Sequence, residues 1–440
     1  MFSLKTILLF GAGKSATVLI EYLISEAEKN QWKFIIADAN NEQILLKTNS
    51  SKYAQAVEAD IRDEDLRATL IKQAHVVISM LPPDLHFLVA KDCVEYRKHL
   101  LTASYLDKQI KSLRDEINSR KLFFLCEMGL DPGIDHMSAM LLFDRIKSSG
   151  GTVTSFESHC GGLVAPESDD NPWHYKISWN PKNVVMAGKA GAMYKKNDEI
   201  ITENYHELFA GDRTIHIPGE TIGSLNYYPN RDSLGYIDLY GLHSSKTFLR
   251  TTLRHPAFMH GWQKVVALSL TDETPWFDSE DQTLQSFFKA HIQRFQCESW
   301  FSDHGKDQTQ FIFLGLYDDQ TIINKGLCSS ADVLQFALER KLVLKPEDRD
   351  MVVMVHEIEY KMENATKKIT SSMLVKGRDH LHTAMAKTVG LPLGIAAKLI
   401  LTDVIKLKGL HIPIHRAIYE PVLEELKKFD ISFMDHNEIL

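Results

Sequence analysis

The sequence predicts an α/β protein whose first part is a parallel sheet, and three observations carry that reading. Apolar, β-branched runs alternate with stretches of helical period through the first 130 residues, the order that a parallel sheet with right-handed crossovers requires. The first run, residues 5–10, feeds a glycine turn, Gly11-Ala12-Gly13-Lys14-Ser15-Ala16. That turn opens a helical pattern, with Val18, Leu19, Tyr22, Leu23 and Ala27 at three- and four-residue steps. Strand, tight turn and helix start is the setting in which a G-x-G-x-x-[GA] match reads as a dinucleotide site. Gly11 permits the sharp turn, Gly13 lets a pyrophosphate approach the backbone, and Ala16 is small enough for the helix to pack on the strand. The helix N-terminus adds N–H groups and a partial positive charge. The competing reading is a turn that only connects strand to helix.

The other strands follow in order. Residues 33–37 end on Asp38, 53–59 on Asp60, and 75–80 at Leu81-Pro82-Pro83; 99–102 end on Ala103-Ser104-Tyr105, and 121–125 on Cys126-Glu127-Met128-Gly129. Helices are expected between them at 41–47, 64–73, 84–97 and 108–119. Ligands of such sheets bind outside the carboxyl ends of the strands. Residues 11–16, Asp38, Asp60, Ser79, Met80, Leu81, Ser104 and Tyr105 therefore share one rim of a Rossmann-like domain. Asp38 stands at the interval where an acid meets the adenosine ribose. A carboxylate there accepts from both ribose hydroxyls and repels a 2′-phosphate. No arginine stands among Ala39, Asn40, Asn41 and Glu42, so NAD is favoured over NADP. Asp38 reads equally as the N-cap of the next helix, and Asp60 as an adenine neighbour or the cap of the helix from Asp63.

Past Pro132-Gly133 a helix is expected at 135–147, then a strand at 152–160 ending in Gly161-Gly162. Short strands broken by glycine follow from 200 to about 254. Helices are expected at 258–268, 283–296 and 330–341, strands at 351–360 and 368–376, one or two apolar helices across 385–408, and an amphipathic helix at 420–428.

Composition narrows the function. With 440 residues the chain is long enough for two or three domains. Its net charge of −8 argues against nucleic acid or an anionic membrane as partner. Five scattered cysteines without a C-x-x-C pair read as a reduced, cytoplasmic protein with neither disulfides nor a zinc site, so no metal is expected. Met1-Phe2-Ser3 runs straight into the first strand, so no signal peptide is expected. The apolar run 391–401 is interrupted by Lys398 and reads as too short to span a bilayer.

Several motifs then resemble a known family. Thr102-Ala103-Ser104-Tyr105, Gly129-Leu130-Asp131-Pro132-Gly133-Ile134-Asp135-His136 and Glu157-Ser158-His159-Cys160-Gly161-Gly162-Leu163 are similar to those of saccharopine dehydrogenase of the glutamate-forming type, also called saccharopine reductase. So are Tyr175-Lys176-Ile177-Ser178-Trp179, Tyr228-Pro229-Asn230-Arg231-Asp232-Ser233, Arg250-Thr251-Thr252-Leu253-Arg254 and Thr383-Ala384-Met385-Ala386-Lys387. The resemblance covers essentially the whole chain. It implies a Rossmann-like domain at 1–130 completed by about 390–440. It also implies a mixed α/β substrate-binding and dimerisation domain from 131–254 and about 345–389, and a helical insertion at about 255–344. A nicotinamide cofactor, saccharopine as ligand and a homodimer are implied as well. The implied cofactor contacts are Gly11, Ala12, Gly13, Lys14, Ser15, Asp38, Asp60, Ser79, Met80, Leu81, Ala103, Ser104, Leu130, Asp131, Pro132 and Ser178. The implied substrate contacts are Ser104, Tyr105, Asp131, Arg231, Thr252, Leu253 and Arg254. The chain departs from the pattern at Val164, where proline is expected, and at Trp173-His174, where a smaller pair is expected. Asp38-Ala39 also replaces the arginine that suits NADP in the fungal enzymes.

The implied reaction sets three demands. Saccharopine carries three carboxylates and a secondary amine. Hydride leaves the carbon beside that nitrogen, and water splits the resulting imine into glutamate and 2-aminoadipate 6-semialdehyde. Cationic clamps, a hydride acceptor and a proton-moving group are needed. Arg231, Arg250 and Arg254 are the clamps to consider, because a guanidinium meets a carboxylate bidentately; as ordinary surface residues they would pair with Asp232 or Asp238. Tyr105, Asp131 and Cys160 are the proton-transfer candidates. Asp131 reads also as a turn-capping residue before Pro-Gly, and Cys160 as a buried packing residue. His136 and His159 read as structural. Two other functions fit parts of the pattern: a carboxynorspermidine-type reductase, whose polyamine end would want acidic rather than arginine neighbours, and a non-catalytic dinucleotide-binding protein, which would lack the arginine and Tyr105 set.

Overall fold

The computed structural model describes residues 4–217, 222–303 and 308–440; the expectation for Met1-Phe2-Ser3, and the part of the short-strand reading that covers 218–221, lie outside them. Two compact units form, one from Met1–Val153 with Tyr360–Leu440, the other from Thr154–Glu359.

The first unit is built on β1 (Thr6–Phe10), β2 (Lys33–Asp38), β3 (Ala54–Glu58), β4 (Val76–Ser79), β5 (His99–Thr102) and β6 (Phe123–Leu125). A seventh strand, Gly409–His411, joins beside β6, and the other strands run β6-β5-β4-β1-β2-β3. Every neighbouring pair is parallel. The order reverses between β1 and β4, the switch point at which dinucleotide folds hold their ligand. Ile7, Leu8, Leu9, Val76, Val77 and Ile78 are fully buried, which is why these strands read as unbroken apolar runs rather than alternating ones. The helices α1 (Thr17–Asn30), α2 (Asn41–Thr48), α3 (Glu64–Gln73) and α4 (His86–Glu95) fall close to expectation.

The differences have local causes. The expected helix at 84–97 starts as a 3-10 turn, Pro83–Leu85, because Pro82-Pro83 fixes the entry. The expected helix at 108–119 is two short ones, Lys108–Ser112 and Arg114–Ser119, parted at Leu113 where ψ rises to 1°. The apolar helix at Ala384–Leu401 ends before 408, with Asp403 at φ 58° just beyond. At 18 residues it is long and apolar enough to cross a membrane, contrary to the shorter run read from sequence, and 78% of it is buried inside the protein. It packs on α1 so closely that a Cβ at Gly390 would stand 3.0 Å from that of Leu19. Met434–Ile439, an unanticipated strand, pairs antiparallel with Ala365–Lys376 through its backbone. All its side chains are exposed, so no alternation announces it.

The division of the chain falls at 153 and 360, not at 130 and 390. The helix Ile134–Ser148 clusters with the first unit, where its Asp144 accepts a hydrogen bond from Tyr419 of the helix Arg416–Lys427.

A separate sheet contains β7 (Thr152–Val164). That strand is followed by β8 (Ala192–Lys196), β9 (Glu199–Glu203), β10 (Thr214–His216), β11 (Ser224–Pro229), β12 (Arg231–Asp232) and β13 (Thr247–Arg254). The sheet runs β10-β11-β13-β7 and then the strand Asp350–Met362. It is mixed: β13 is parallel to β7 and antiparallel to β11. The helices Pro256–Ala267, Leu284–Arg294 and Ser330–Lys341 share one apolar core with residues outside the insertion, among them Trp173 and Tyr175. Trp173, where a smaller residue was expected, is fully buried and donates from its indole to the Gln310 carbonyl at 3.1 Å.

Candidate active site

The first unit gathers most of the expected cofactor residues at the carboxyl ends of β1, β2 and β4. Gly11 has φ 97°, and a Cβ there would stand 2.8 Å from the Met80 carbonyl oxygen, so the turn requires glycine. A Cβ on Gly13 would meet no protein atom within 4 Å. Packing therefore does not demand glycine at that position, which fits close approach by a phosphate. No side chain caps the turn at residues 14–16, and Lys14 and Ser15 lie in it.

Asp38 is not the cap of α2. Asn40 is, accepting from the Gln43 N–H at 3.1 Å. Asp38 instead accepts from the Ala12 N–H at 2.6 Å and from the Asn40 N–H at 2.9 Å, tying the glycine turn to β2. Beside it the Lys47 ammonium donates to the carbonyls of Ala12 and Gly13, both at 2.5 Å. Burial pushes Lys47 down to about 8, against the opposing charge of Asp38. The preference for NAD rested on the Asp38 carboxylate and on the absence of arginine among residues 39–42. Helix α2 nevertheless brings a cation to this turn from nine positions along the chain, which that reading did not count. Asp60 is exposed and accepts from the Arg62 N–H at 2.9 Å, while Asp63 caps α3.

Ser79 is fully buried at the end of β4, with the Met80 N–H on the Phe10 carbonyl at 2.8 Å and Leu81 next in the chain. His86, at the start of α4, bridges β4 and β5. Its Nδ1 lies 2.8 Å from the Ser79 hydroxyl and its Nε2 lies 2.7 Å from that of Ser104. Burial pushes His86 down to about 4, with Asp107 and Asp84 opposing, so the ring is neutral at physiological pH. The loop after β6 folds back on itself. The Gly129 N–H donates to Pro132 at 2.9 Å and the Asp135 N–H to Leu130 at 3.1 Å, and a Cβ on Gly129 would stand 3.1 Å from that of Ala103. The Tyr105 hydroxyl lies 3.4 Å from Asp131 Oδ1, bringing together two of the three proton-transfer candidates. Beneath them His136, fully buried, meets Glu127 at 2.9 Å, and Glu127 accepts from the Leu106 N–H. That agrees with a structural role for His136.

In the second unit Cys160, 6% exposed, is the register partner of Thr252, and His159 that of Thr251. Leu253 and Arg254 follow on the same strand. Arg254 is 4% exposed, its Nη1 spent on the Leu253 carbonyl at 2.8 Å and its Nε without a hydrogen-bond partner. Its guanidinium lies 5.3 Å from the Tyr175 ring centre and 5.5 Å from that of Phe258. Arg231 is exposed at φ 55°, next to Asn230, whose N–H bonds the Arg250 carbonyl at 2.8 Å. Arg231 thus adjoins Arg250, four residues from Arg254 and ~13 Å along an extended strand. Ser178 is buried in the loop held by the Ile177 N–H on Leu342 at 2.8 Å.

Sequence reasoning missed Lys47 and His86. Each acts from an element other than the one that carries its partner, and no local spacing signals that. The neutral histidines also fix a pH response. His86, His99 and His291 are each pushed down to about 4, chiefly by burial, and would titrate near their usual ~6.5 in the unfolded chain. Between those limits the unfolded state holds more protons, so stability falls as pH drops from about 6.5 to 4. The urea midpoint at pH 5 should lie below that at pH 7; equal midpoints would contradict it.

Comparison with known proteins follows the same lines. The chain matches the saccharopine dehydrogenase NADP binding domain over residues 7–123 and the saccharopine dehydrogenase C-terminal domain over residues 129–431. It is 31% identical to the NADP(+), L-glutamate-forming saccharopine dehydrogenase of Saccharomyces cerevisiae, over 96% of this chain and 97% of that one. It is 33% identical to the mitochondrial alpha-aminoadipic semialdehyde synthase of Mus musculus and 31% identical to the synthase of Arabidopsis thaliana, covering 48% and 45% of their lengths. The chain therefore spans about half of those two relatives. The structure of the yeast apo saccharopine dehydrogenase (L-Glu forming) superimposes with a TM-score of 0.87 at 29% identity, covering 99% of this chain and 100% of that one. The NADP in these names stands against the preference for NAD read from Asp38. Family matches that run from the glycine turn through the arginine strand to the C-terminal helices place the chain in the saccharopine dehydrogenase family.

Proposed function

We propose that the chain is an L-glutamate-forming saccharopine dehydrogenase, an oxidoreductase acting on a CH–NH group in lysine metabolism, and that it works as a homodimer in the cytoplasm. The observation that carries the substrate reading is Arg254, a guanidinium closed in among aromatic rings with its Nε unpartnered. A buried cation of that kind calls for an anion, and a carboxylate fits its fork.

When bound, the nicotinamide supplies the hydride acceptor. The remaining roles fall to this chain's side chains. Asp131 takes the proton of the substrate ammonium, which must leave before the neighbouring carbon can lose hydride, and the Tyr105 hydroxyl beside it orients that carboxylate. Water then adds to the substrate imine, and Cys160 is the remaining candidate to pass a proton to the departing amine. Arg254 and Arg231 hold carboxylates.

For the cofactor, Lys47 offsets Asp38, so both NADP(H) and NAD(H) serve. The test is a spectrophotometric assay with saccharopine and each oxidised dinucleotide, with identification of glutamate and the semialdehyde. Turnover with both, at kcat/KM values within about an order of magnitude, is expected. Lys47→Met should cost NADP at least tenfold relative to NAD, ~1.4 kcal/mol, and Asp38→Ala should move the ratio the other way. A strict preference for one dinucleotide that Lys47→Met leaves unchanged would overturn the cofactor reading. No turnover of saccharopine with either would overturn the function.

A further inference from the structure

The geometry points to His86 as a positioning residue that holds the Ser104 hydroxyl toward the ligand, with Ser79 as its counterweight. This rests on the function proposed above and on the family resemblance, which implies that Ser104 touches cofactor and substrate. The arrangement is built from three elements that meet at the rim. Ser79 ends β4, Thr102 ends β5 with Ser104 two residues beyond it, and His86 opens α4. The imidazole, 2% exposed, has both nitrogens engaged: Nδ1 with Ser79 at 2.8 Å, and Nε2 with Ser104 at 2.7 Å and Thr102 at 3.3 Å.

The backbone of Ser104 is already committed. Its N–H donates to the Thr102 hydroxyl at 3.3 Å, and its carbonyl accepts from the Glu127 N–H at 3.0 Å. Only its hydroxyl, on a half-buried residue, remains to face a ligand. A neutral imidazole has one N–H and one lone pair. If Nδ1 carries the hydrogen, it donates to Ser79, and Nε2 accepts from Ser104, whose oxygen then offers lone pairs outward. If Nε2 carries it, Ser104 accepts from the ring and turns its own O–H outward. Ser79, fully buried, changes role in step with Ser104. One side chain can in this way present an acceptor to an ammonium or amide and a donor to a carboxylate, without moving a heavy atom.

A double-mutant cycle tests this. His86→Phe keeps the ring volume and removes both nitrogens. It should lower kcat/KM for saccharopine at least tenfold in the natural background, and less than twofold when Ser104 is already alanine. The Kd for the reduced dinucleotide, followed by its fluorescence, should show the same coupling. Ser79→Ala should give an intermediate loss that also vanishes in Ser104→Ala. Equal losses in both backgrounds would mean that His86 only supports the fold, and would overturn the inference. Should His86→Phe melt below assay temperature, the Ser79→Ala and Ser104→Ala pair carries the same cycle with the ring in place. The dinucleotide arm decides the role of His86 even if saccharopine is not turned over, the outcome that would instead defeat the proposed function.

Discussion

Arg254→Ala should raise KM for saccharopine at least tenfold, ~1.4 kcal/mol or more of lost binding, while the Kd for the dinucleotide stays the same. The side chain is 4% exposed, spends one nitrogen on its own strand and leaves Nε without a partner. The rings of Tyr175 and Phe258 hold the cation but offer it no hydrogen-bond acceptor. A substrate carboxylate would supply one, and truncation would strand that carboxylate. Lysine should rescue only in part, because an ammonium cannot make the paired fork contact. Arg231→Ala should act in the same direction on KM, and with little effect on stability, since its side chain is exposed. Unaltered KM in both alanine variants would remove the clamp from the site. Lost dinucleotide affinity would assign it to the cofactor instead.

Gly133→Ala should be the most damaging single methyl in the chain's nucleotide unit. Gly133 has φ 148°, and a Cβ there would lie 2.1 Å from the Gly129 oxygen and 2.4 Å from its carbonyl carbon and its nitrogen. All three are backbone atoms, so no rotamer change relieves the clash. The expected loss is about 3 kcal/mol or more, read as a lowered urea midpoint, together with loss of turnover, because the loop carries Asp131. Gly13→Ala is the matched control. No protein atom stands within 4 Å of its added Cβ, so stability should hold while the Kd for dinucleotide rises. An unchanged midpoint in Gly133→Ala would mean that the loop relaxes, and a lowered one in Gly13→Ala that the turn, not the ligand, requires that glycine.

Much of the nucleotide unit was legible because its signals are local. An apolar run, a glycine turn and a helical period sit next to one another in sequence, and the strand ends at Asp38, Ser79 and Thr102 fall where turn residues follow. The site was legible only where a residue lies on a strand end or inside a motif. Asp38 was placed correctly on the rim, but its partner Ala12 and its neighbour Lys47 come from other elements. The same holds for His86, which reads as an ordinary apolar-flanked residue early in a helix until the sheet sets Ser79 and Ser104 on either side of it. The strand Met434–Ile439 was illegible for a different reason. Its pairing is through backbone bonds, with Asp435 adding contacts to Ser371 and Arg145, and none of this requires an alternating side-chain pattern. The long insertion kept its helices where periodicity put them, but its core is shared with Trp173 and Tyr175, which no periodicity connects to it.

The nucleotide unit is assembled from two stretches of sequence separated by the other unit, and this sets the order in which a growing polypeptide can complete them. The glycine turn and β1 leave the ribosome long before Ala384–Leu401, which packs on α1, and before Gly409–His411, which adds the seventh strand to the sheet. The strands β1–β6 can pair among themselves once Leu125 is made, but a long stretch of synthesis then passes with α1 lacking the cover of Ala384–Leu401. The intervening unit, Thr154–Glu359, is continuous in sequence and has all its own residues before that. During translation the unit that begins later in the sequence therefore completes before the one that begins earlier, and β1 and α1 are among the last elements to settle.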